Sequence, residues 1–517
     1  MLQSRDPGIY YLRRNGAYFM FYKSTRNSNL KVDSAQAISQ GISEDGGLFV
    51  PESIPSLTLD EVKHISGLSY SERAAYIFRK FLTDFTDAEI RYCTDNAYNT
   101  KNFETENIAE IAHLFDGTYM LELWHGPTCA FKDMALQLLP YLMTVSAKKT
   151  ADGKTIVILV ATSGDTGKAA LEGFKDVDNT RILVFYPVDG VSPMQKLQMT
   201  TQEGNNVSVC AINGNFDDAQ SAVKAIFTND DIKAQLQSKN MMFSSANSIN
   251  WGRLVPQIVY YFSTYCDMVE QNRIALGDAI NVVVPTGNFG NILAAYYAKK
   301  MGLPIKKLVC ASNSNNVLTD FLKSGEYNKN RKFFTTTSPS MDILISSNLE
   351  RLLYHMSGED DSLVNDLMNA LSTDGKYEVS KTLIESIQEV FDAGCCDEAS
   401  VDSTIKEHFE KYNYLCDTHT AVAVNVYDEY VARTGDDIPT VIDSTASPYK
   451  FSKSVLTAIL DGKKLDLDEF DMVGELNRIS GVDVPKPLQS LKDKAIRFDN
   501  VCDKENMSEM VFKLLKL

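Results

Sequence analysis

The chain has 517 residues, a net charge of -17, and 44% hydrophobic and 23% charged residues, the composition of a soluble globular protein. That length exceeds one hydrophobic core and suits two or three domains. An acidic balance without any lysine- or arginine-rich block excludes nucleic acid as the expected partner, and no apolar run is long enough to span a bilayer.

The chain opens Met1-Leu-Gln-Ser-Arg-Asp-Pro, which lacks the basic-then-apolar layout of a secretory signal. Arg5, Arg13 and Arg14 hint at an organellar leader, while Asp6 and the run Tyr18-Phe19-Met20-Phe21-Tyr22 weigh against one. Nine cysteines are scattered without metal spacing, the one close pair being Cys395-Cys396. That usage suggests reduced thiols and a cytoplasmic setting. Six histidines form no zinc layout, so no metal site is expected.

Residues 23 to about 115 read as a mixed, largely helical lead-in. Asp33-Ser-Ala-Gln-Ala-Ile38 is a capped helix start, and Gly46-Gly47-Leu-Phe-Val-Pro51 is a turn entering a short strand. From Tyr119 onward the rhythm is strand, glycine loop, helix. Thr155–Val160, Arg181–Tyr186, Asn281–Val284 and Lys307–Ala311 are β-branched or apolar runs of the kind buried on both faces of a parallel sheet. Helical patterns fill the gaps, as at Ala219–Phe227 and Arg253–Val269. Residues 357–412 read as solvated helices with loops, and a strand signal returns at Val441–Asp443. The alternation implies an α/β protein with helices on both faces of parallel sheet.

Glu122-Leu-Trp-His-Gly-Pro-Thr-Cys-Ala-Phe-Lys-Asp133 is the most informative stretch. Lys132 stands among aromatic and small residues, just before the helix formers Met134–Leu139. A lysine so placed can have a depressed amine pKa and form a Schiff base; alternatively its stem packs on apolar neighbours and its ammonium reaches water.

Four more clusters bear on that choice. Ala161-Thr-Ser-Gly-Asp-Thr-Gly167 follows a strand and opens a helix, so its amides and hydroxyls suit a carboxylate; a plain capped turn has the same look. Pro285-Thr-Gly-Asn-Phe-Gly-Asn291 also joins strand to helix and suits a phosphate, though its spacing matches neither the Walker loop nor the dinucleotide fingerprint. Asn247-Ser-Ile-Asn-Trp-Gly-Arg253 is either a capping network or an arginine-based anion site. Asp443-Ser-Thr-Ala-Ser-Pro-Tyr-Lys-Phe451 places hydroxyls at a strand end, where one could face a ring nitrogen or merely shape a turn. Two glycine loops at strand ends fit the edge where open parallel sheets bind ligands.

In this order these motifs resemble threonine synthase, a pyridoxal-phosphate enzyme of fold type II. Ser338-Pro-Ser-Met-Asp-Ile343, Ser347-Asn-Leu-Glu-Arg351 and Cys416-Asp-Thr-His-Thr-Ala-Val422 belong to the same set, which covers nearly the whole chain. Residues 1 to about 19 have no counterpart in it. The resemblance implies two open, mostly parallel sheet domains plus a mixed N-terminal domain. The expected division is 1–115 for the lead-in, 116–150 with 246–517 for the large cofactor-binding domain, and 151–245 for a smaller α/β domain.

It also implies the site. Lys132 would carry pyridoxal 5'-phosphate as a Schiff base and shuttle protons; Phe131 would border the ring; Gly287, Asn288, Phe289, Gly290 and Asn291 would hold the cofactor phosphate; Thr445 would meet the pyridine nitrogen. Asp165 stands near the ring hydroxyl, where many relatives have asparagine, and Ser447 replaces an expected histidine. Thr162, Ser163 and Thr166 would bind the substrate carboxylate, and Asn247, Ser248 and Arg253 its phosphate. The implied reaction takes O-phospho-L-homoserine and water to L-threonine and phosphate, through α- and β-proton abstraction, loss of the γ-phosphate and addition of water. The alternative is a related phospholyase giving 2-oxobutanoate, ammonia and phosphate. A non-catalytic anion-binding protein on the same fold would lack the lysine. The expected assembly is a monomer or small homo-oligomer, without nucleic acid or membrane partners.

Overall fold

The computed structural model describes residues 19–150, 153–214, 216–463 and 465–517. The leader question at Arg5, Arg13 and Arg14 lies outside the described residues. Two main sheets organise the chain. The larger has six strands in the order Phe391–Cys395, Ile305–Ser312, Ile280–Pro285, Thr440–Ser444, Thr118–Glu122, Glu110–Phe115. Its first five strands run parallel, and the hairpin partner Glu110–Phe115 closes one edge antiparallel. The smaller sheet is parallel throughout, in the order Asn500–Asp503, Val207–Asn213, Thr180–Pro187, Thr155–Ala161, Met241–Ser244.

The apolar runs become central strands for the reason the pattern gives. Ile280–Pro285 is buried at every position, and Thr155–Ala161 at all but its first residue. A strand covered by helices on both faces has no solvent side for polar residues to occupy.

The lead-in is mixed, as expected. Tyr22–Ser24, Asn27–Val32 and Phe49–Pro51 form an antiparallel sheet, followed by helices at Leu59–Ser66, Tyr70–Phe81 and Asp87–Ala97. Asp33 caps the helix Ser34–Gln40 by accepting from Gln36 N at 2.8 Å. This region docks on the helix Trp251–Glu270. Trp251 is fully buried against the rings of Tyr22, Phe81 and Tyr297, and Arg73 reaches Ser263 Oγ at 2.8 Å and Asp267 Oδ1 at 2.5 Å. Burying one large aromatic side chain is worth roughly 3 kcal/mol, so this contact anchors the lead-in.

Three expectations need correction. Residues 246–517 do not all belong with the large sheet: Asn500–Asp503 pairs with Val207–Asn213, and Met507, Val511 and Leu515 pack into the small-sheet core. Residues 357–412 contain two strands: Lys376–Glu378, paired with Glu326–Asn328, and Phe391–Cys395, beside Ile305–Ser312; the second is short, lies at an edge and contains Gly394, against which Val426 packs so closely that a Cβ would meet Cγ1 at 2.7 Å. The helix formers after Lys132 make two helices rather than one, Asp133–Leu136 and Leu139–Thr150. Pro140 has no N–H to bond back to the first helix, and the Leu136 carbonyl is crowded by Gly173, where a Cβ would sit 2.0 Å away.

Candidate active site

The loops at the C-terminal ends of four strands converge. Lys132 follows Thr118–Glu122, the Thr162–Gly167 loop follows Thr155–Ala161, Gly287 follows Ile280–Pro285, and Thr445 follows Thr440–Ser444. The lysine segment is a tight turn built on Asp133. Its carboxylate accepts from Thr128 N at 2.8 Å and Thr128 Oγ1 at 2.6 Å, and Gly126 leaves it room. The segment is zipped to the Thr445 loop by Phe131 N to Thr445 O at 2.8 Å and Ser447 N to Cys129 O at 3.1 Å. Ser447 instead caps the short turn Pro448–Phe451.

Lys132 is 7% exposed, so the apolar-stem alternative, with its ammonium in water, does not hold. Nζ lies 3.3 Å from Ser340 Oγ, 3.5 Å from Asp165 Oδ2 and 4.7 Å from the Phe131 ring centre. Burial drives the amine down to about 8, Asp165 pulling the other way and the cations Arg253 and Lys450 reinforcing the fall. An amine so placed has a far larger neutral, nucleophilic fraction near physiological pH than an ordinary lysine.

Asp165 is the hub. Its Oδ1 receives Lys450 Nζ at 2.6 Å and Gln195 Nε2 at 2.8 Å; its Oδ2 receives Ser340 Oγ at 3.2 Å. Burial opposes its ionisation, but the charges of Lys450 and Lys132 outweigh that and hold the carboxyl well below the usual range. Ser340 N donates to His419 Nε2 at 3.2 Å, and His419 Nδ1 is bonded to Asp417 at 2.9 Å. Lys450, Gln195 and Ser340 carry no role in the motif reading. Two of them lay inside quoted motifs, yet nothing in a Tyr-Lys-Phe or Ser-Pro-Ser string says that its polar side chain is buried.

The 287–291 loop presents an uncapped helix start. The helix Gly290–Lys300 has no side-chain cap, and its first bond runs from Leu293 N to Phe289 O, which leaves the N–H groups of Gly290, Asn291 and Ile292 without helical partners. Phe289 is buried and held at φ 62°, a left-handed conformation that L side chains adopt at a cost and that recurs at ligand sites. A Cβ on Gly287 would stand 2.7 Å from the Ser340 carbonyl. Asn348 braces the loop by donating to Asn288 O and Ser248 Oγ. The Asn291 side chain points elsewhere, into a buried cluster with Tyr260, Tyr261 and Asp443, so its backbone N–H is what it offers an anion.

Arg253 sits in the first turn of its helix, buried, donating to Ala246 O at 2.8 Å, and forms no ion pair among the described residues. Burial lowers its pKa to about 10. A sealed guanidinium without a carboxylate is suited to an incoming anion. Thr162 is committed to its own loop, its Oγ1 accepting from Gly164 N and Gly167 N, whereas Ser163 and Thr166 are half-buried. Thr445 is 5% exposed and its hydroxyl has no protein partner among the described residues. No direct contact joins Asn247, Ser163 or Thr166 to Lys132. Among the described residues no cluster of side chains could hold a metal ion.

A buried amine of lowered pKa, a bare helix start for a phosphate and a hydroxyl on the loop bonded to the lysine segment fit pyridoxal phosphate. The class is a pyridoxal-phosphate-dependent enzyme of fold type II. Three family models match along the chain: Threonine synthase N terminus over 21–98, Pyridoxal-phosphate dependent enzyme over 117–441, and Threonine synthase, C-terminal over 420–511. Threonine synthase of Saccharomyces cerevisiae is 36% identical over 487 residues, covering 89% of this chain and 93% of that one. The crystal structure of pyridoxal-phosphate-bound threonine synthase from Brucella melitensis superposes with a TM-score of 0.84 at 35% identity, over 96% of this chain and 100% of the other. Human threonine synthase-like 1 is 41% identical over 435 residues, 82% of this chain, which spans 58% of that longer protein. The chain belongs to the threonine synthase family.

Proposed function

We propose that the protein converts O-phospho-L-homoserine and water into L-threonine and phosphate. The observation that supports this most is the neighbourhood of Lys132: one depressed amine, with an unsatisfied helix start and an unpaired buried arginine gathered around the same strand ends. Bound pyridoxal phosphate supplies an electron sink for charge developing on substrate carbons.

The chain's own residues do the rest. Lys132, titrating at about 8, takes and returns protons at the α- and β-carbons. Asp165 and Ser340 fix the direction from which it does so. The N–H groups of Gly290, Asn291 and Ile292 hold the cofactor phosphate, with Gly287 and Asn288 shaping the turn and Phe289 aiming it. Thr445 meets the ring nitrogen, and a hydroxyl there leaves that nitrogen less protonated than a carboxylate would. Asn247, Ser248 and Arg253 hold the substrate phosphate and stabilise it as it leaves. Ser163 and Thr166, with the amides of the loop that Thr162 braces, hold the substrate carboxylate. The buried walls keep stray water from the reacting carbons.

The test is product analysis. Purified protein with pyridoxal phosphate and O-phosphohomoserine yields threonine and phosphate in equal amounts on this reading. A second reading, the phospholyase, draws on the 41% identity to a protein named as like the synthase. It yields 2-oxobutanoate and ammonia instead. Nine free cysteines suit an enzyme of the reducing cytoplasm. Among the described residues no helix is long and apolar enough to cross a membrane.

A further inference from the structure

Asp443 lies two residues before Thr445 and is fully buried. Its Oδ2 is 2.8 Å from the Tyr261 hydroxyl and 2.9 Å from Asn291 Nδ2. The Tyr261 hydroxyl is also 2.6 Å from Asn291 Oδ1, to which the Tyr260 hydroxyl is bonded as well. These tyrosines come from the helix Trp251–Glu270, and Asn291 from the first turn of the helix Gly290–Lys300. They are the groups that face Asp443, which forms no ion pair among the described residues.

The hydrogens do not balance if Asp443 is ionised. Tyr261 has one hydroxyl hydrogen and, besides the distant Asn291 carbonyl at 3.4 Å, two acceptor oxygens within 2.8 Å. Tyr260 uses its own hydrogen on Asn291 Oδ1 or on Gln257 Oε1 at 3.2 Å. Turning the Asn291 amide round does not help. Its nitrogen would then serve the tyrosines, and its oxygen would face Asp443 Oδ2 at 2.9 Å, again two acceptors. A proton on Asp443 completes either arrangement. The other oxygen, Oδ1, is buried without a partner among the described residues, which a neutral acid tolerates far better than a carboxylate does. Burial, opposed by the bonds from Tyr261 and Asn291, raises the group to about 7.

We infer that Asp443 is held as a neutral carboxylic acid and acts as a positioning residue, fastening the first turn of the phosphate-binding helix to the strand that delivers Thr445. Through one carboxyl the two ends of the cofactor site, phosphate cradle and ring-nitrogen partner, are kept in register. The protonation rests on hydrogen-bond counting alone. The link to the cofactor rests on the reading of the 287–291 loop given above.

Both halves are tested on the full-length protein. Infrared difference spectra of wild type against Asp443→Asn at about pH 6 report the acid directly. The expected result is a carboxylic C=O stretching band present in wild type and lost in the variant. Thermal unfolding adds the sign. A group protonated in the folded state and ionised in the unfolded chain loses its stabilisation as pH rises from about 4 to about 7. Asp443→Asn, which does not titrate, therefore gains on wild type across that window and is at least as stable at pH 8. No acid band, or an Asp443→Asn protein that is weaker than wild type at pH 8, overturns the protonation. Titration with pyridoxal phosphate tests the fastening. Tyr261→Phe weakens cofactor binding about tenfold, the worth of one buried hydrogen bond. Asp443→Asn, which can still donate to Tyr261, binds at least about tenfold tighter than Asp443→Ala. An acid band together with unaltered cofactor affinity in Tyr261→Phe overturns the positioning role while leaving the protonation standing.

Discussion

Lys450 Nζ lies 2.6 Å from Asp165 Oδ1, with both side chains sealed from solvent and a further bond from Lys450 to Thr128 O at 3.0 Å. The pair spans the two sheets' loops and shares its carboxylate with Lys132. Lys450 thus does two things to the reactive amine: it adds a repelling positive charge and it occupies half of the carboxylate that would otherwise hold Lys132 charged.

Lys450→Met should remove both effects. The Lys132 amine then titrates above its present value of about 8, so the pH at which apoprotein takes up cofactor at half its maximal rate moves up towards that of an ordinary lysine. Uptake rate against pH measures it. The same change leaves Asp165 short of a buried partner and lowers stability by about 3 kcal/mol, read from a denaturant midpoint.

Gly287→Ala puts a methyl group 2.7 Å from the Ser340 carbonyl, a backbone atom that cannot swing away. Either the phosphate turn or the segment bearing Ser340 must shift. Cofactor affinity should fall at least about tenfold, measured by fluorescence titration of apoprotein, with overall stability changed by far less than a core cavity would cost.

Much of this site was legible in the sequence because glycines at strand ends advertise themselves. The loops at 164–167 and 287–291 sit between β-branched runs and helix formers, and both lie at the edge of parallel sheet where the pattern placed them. What could not be read is where side chains point. Asn291 belongs to a phosphate motif, yet packing turns its amide into the tyrosine cluster. Lys450, between two aromatics, looks like a solvated lysine until Asp165 arrives from residues far away in the chain. The strand Asn500–Asp503 escapes the sequence pattern for a similar reason: it has four residues, half of them polar, and its partner Val207–Asn213 lies nearly three hundred residues earlier.

Arg253→Lys keeps the charge but not the fork. A guanidinium in a sealed site presents several fixed donors to a phosphate, and an ammonium presents one compact charge on a flexible stem. KM for the phosphorylated substrate should rise about tenfold or more, while cofactor binding, read from absorbance, stays near wild type.

His125 is stacked on Trp124 and bonded to Glu122 at 2.8 Å and Glu104 at 3.3 Å. Burial opposes its charge, but the two carboxylates prevail and raise its pKa to about 9. A histidine whose folded value exceeds its unfolded value stabilises fully below pH 6.5 and loses that contribution as pH climbs through about 9. Wild type should therefore exceed His125→Gln in stability by an amount of order 3 kcal/mol at pH 6, shrinking across that window. Urea midpoints at a series of pH values give the comparison.

The most direct check is to find which nitrogen holds the cofactor. Protein loaded with pyridoxal phosphate is reduced with borohydride, digested and examined by mass spectrometry. The pyridoxyl group should appear on the peptide containing Lys132 and vanish in Lys132→Ala. A label on any other lysine, or none at all under saturating cofactor, contradicts the account.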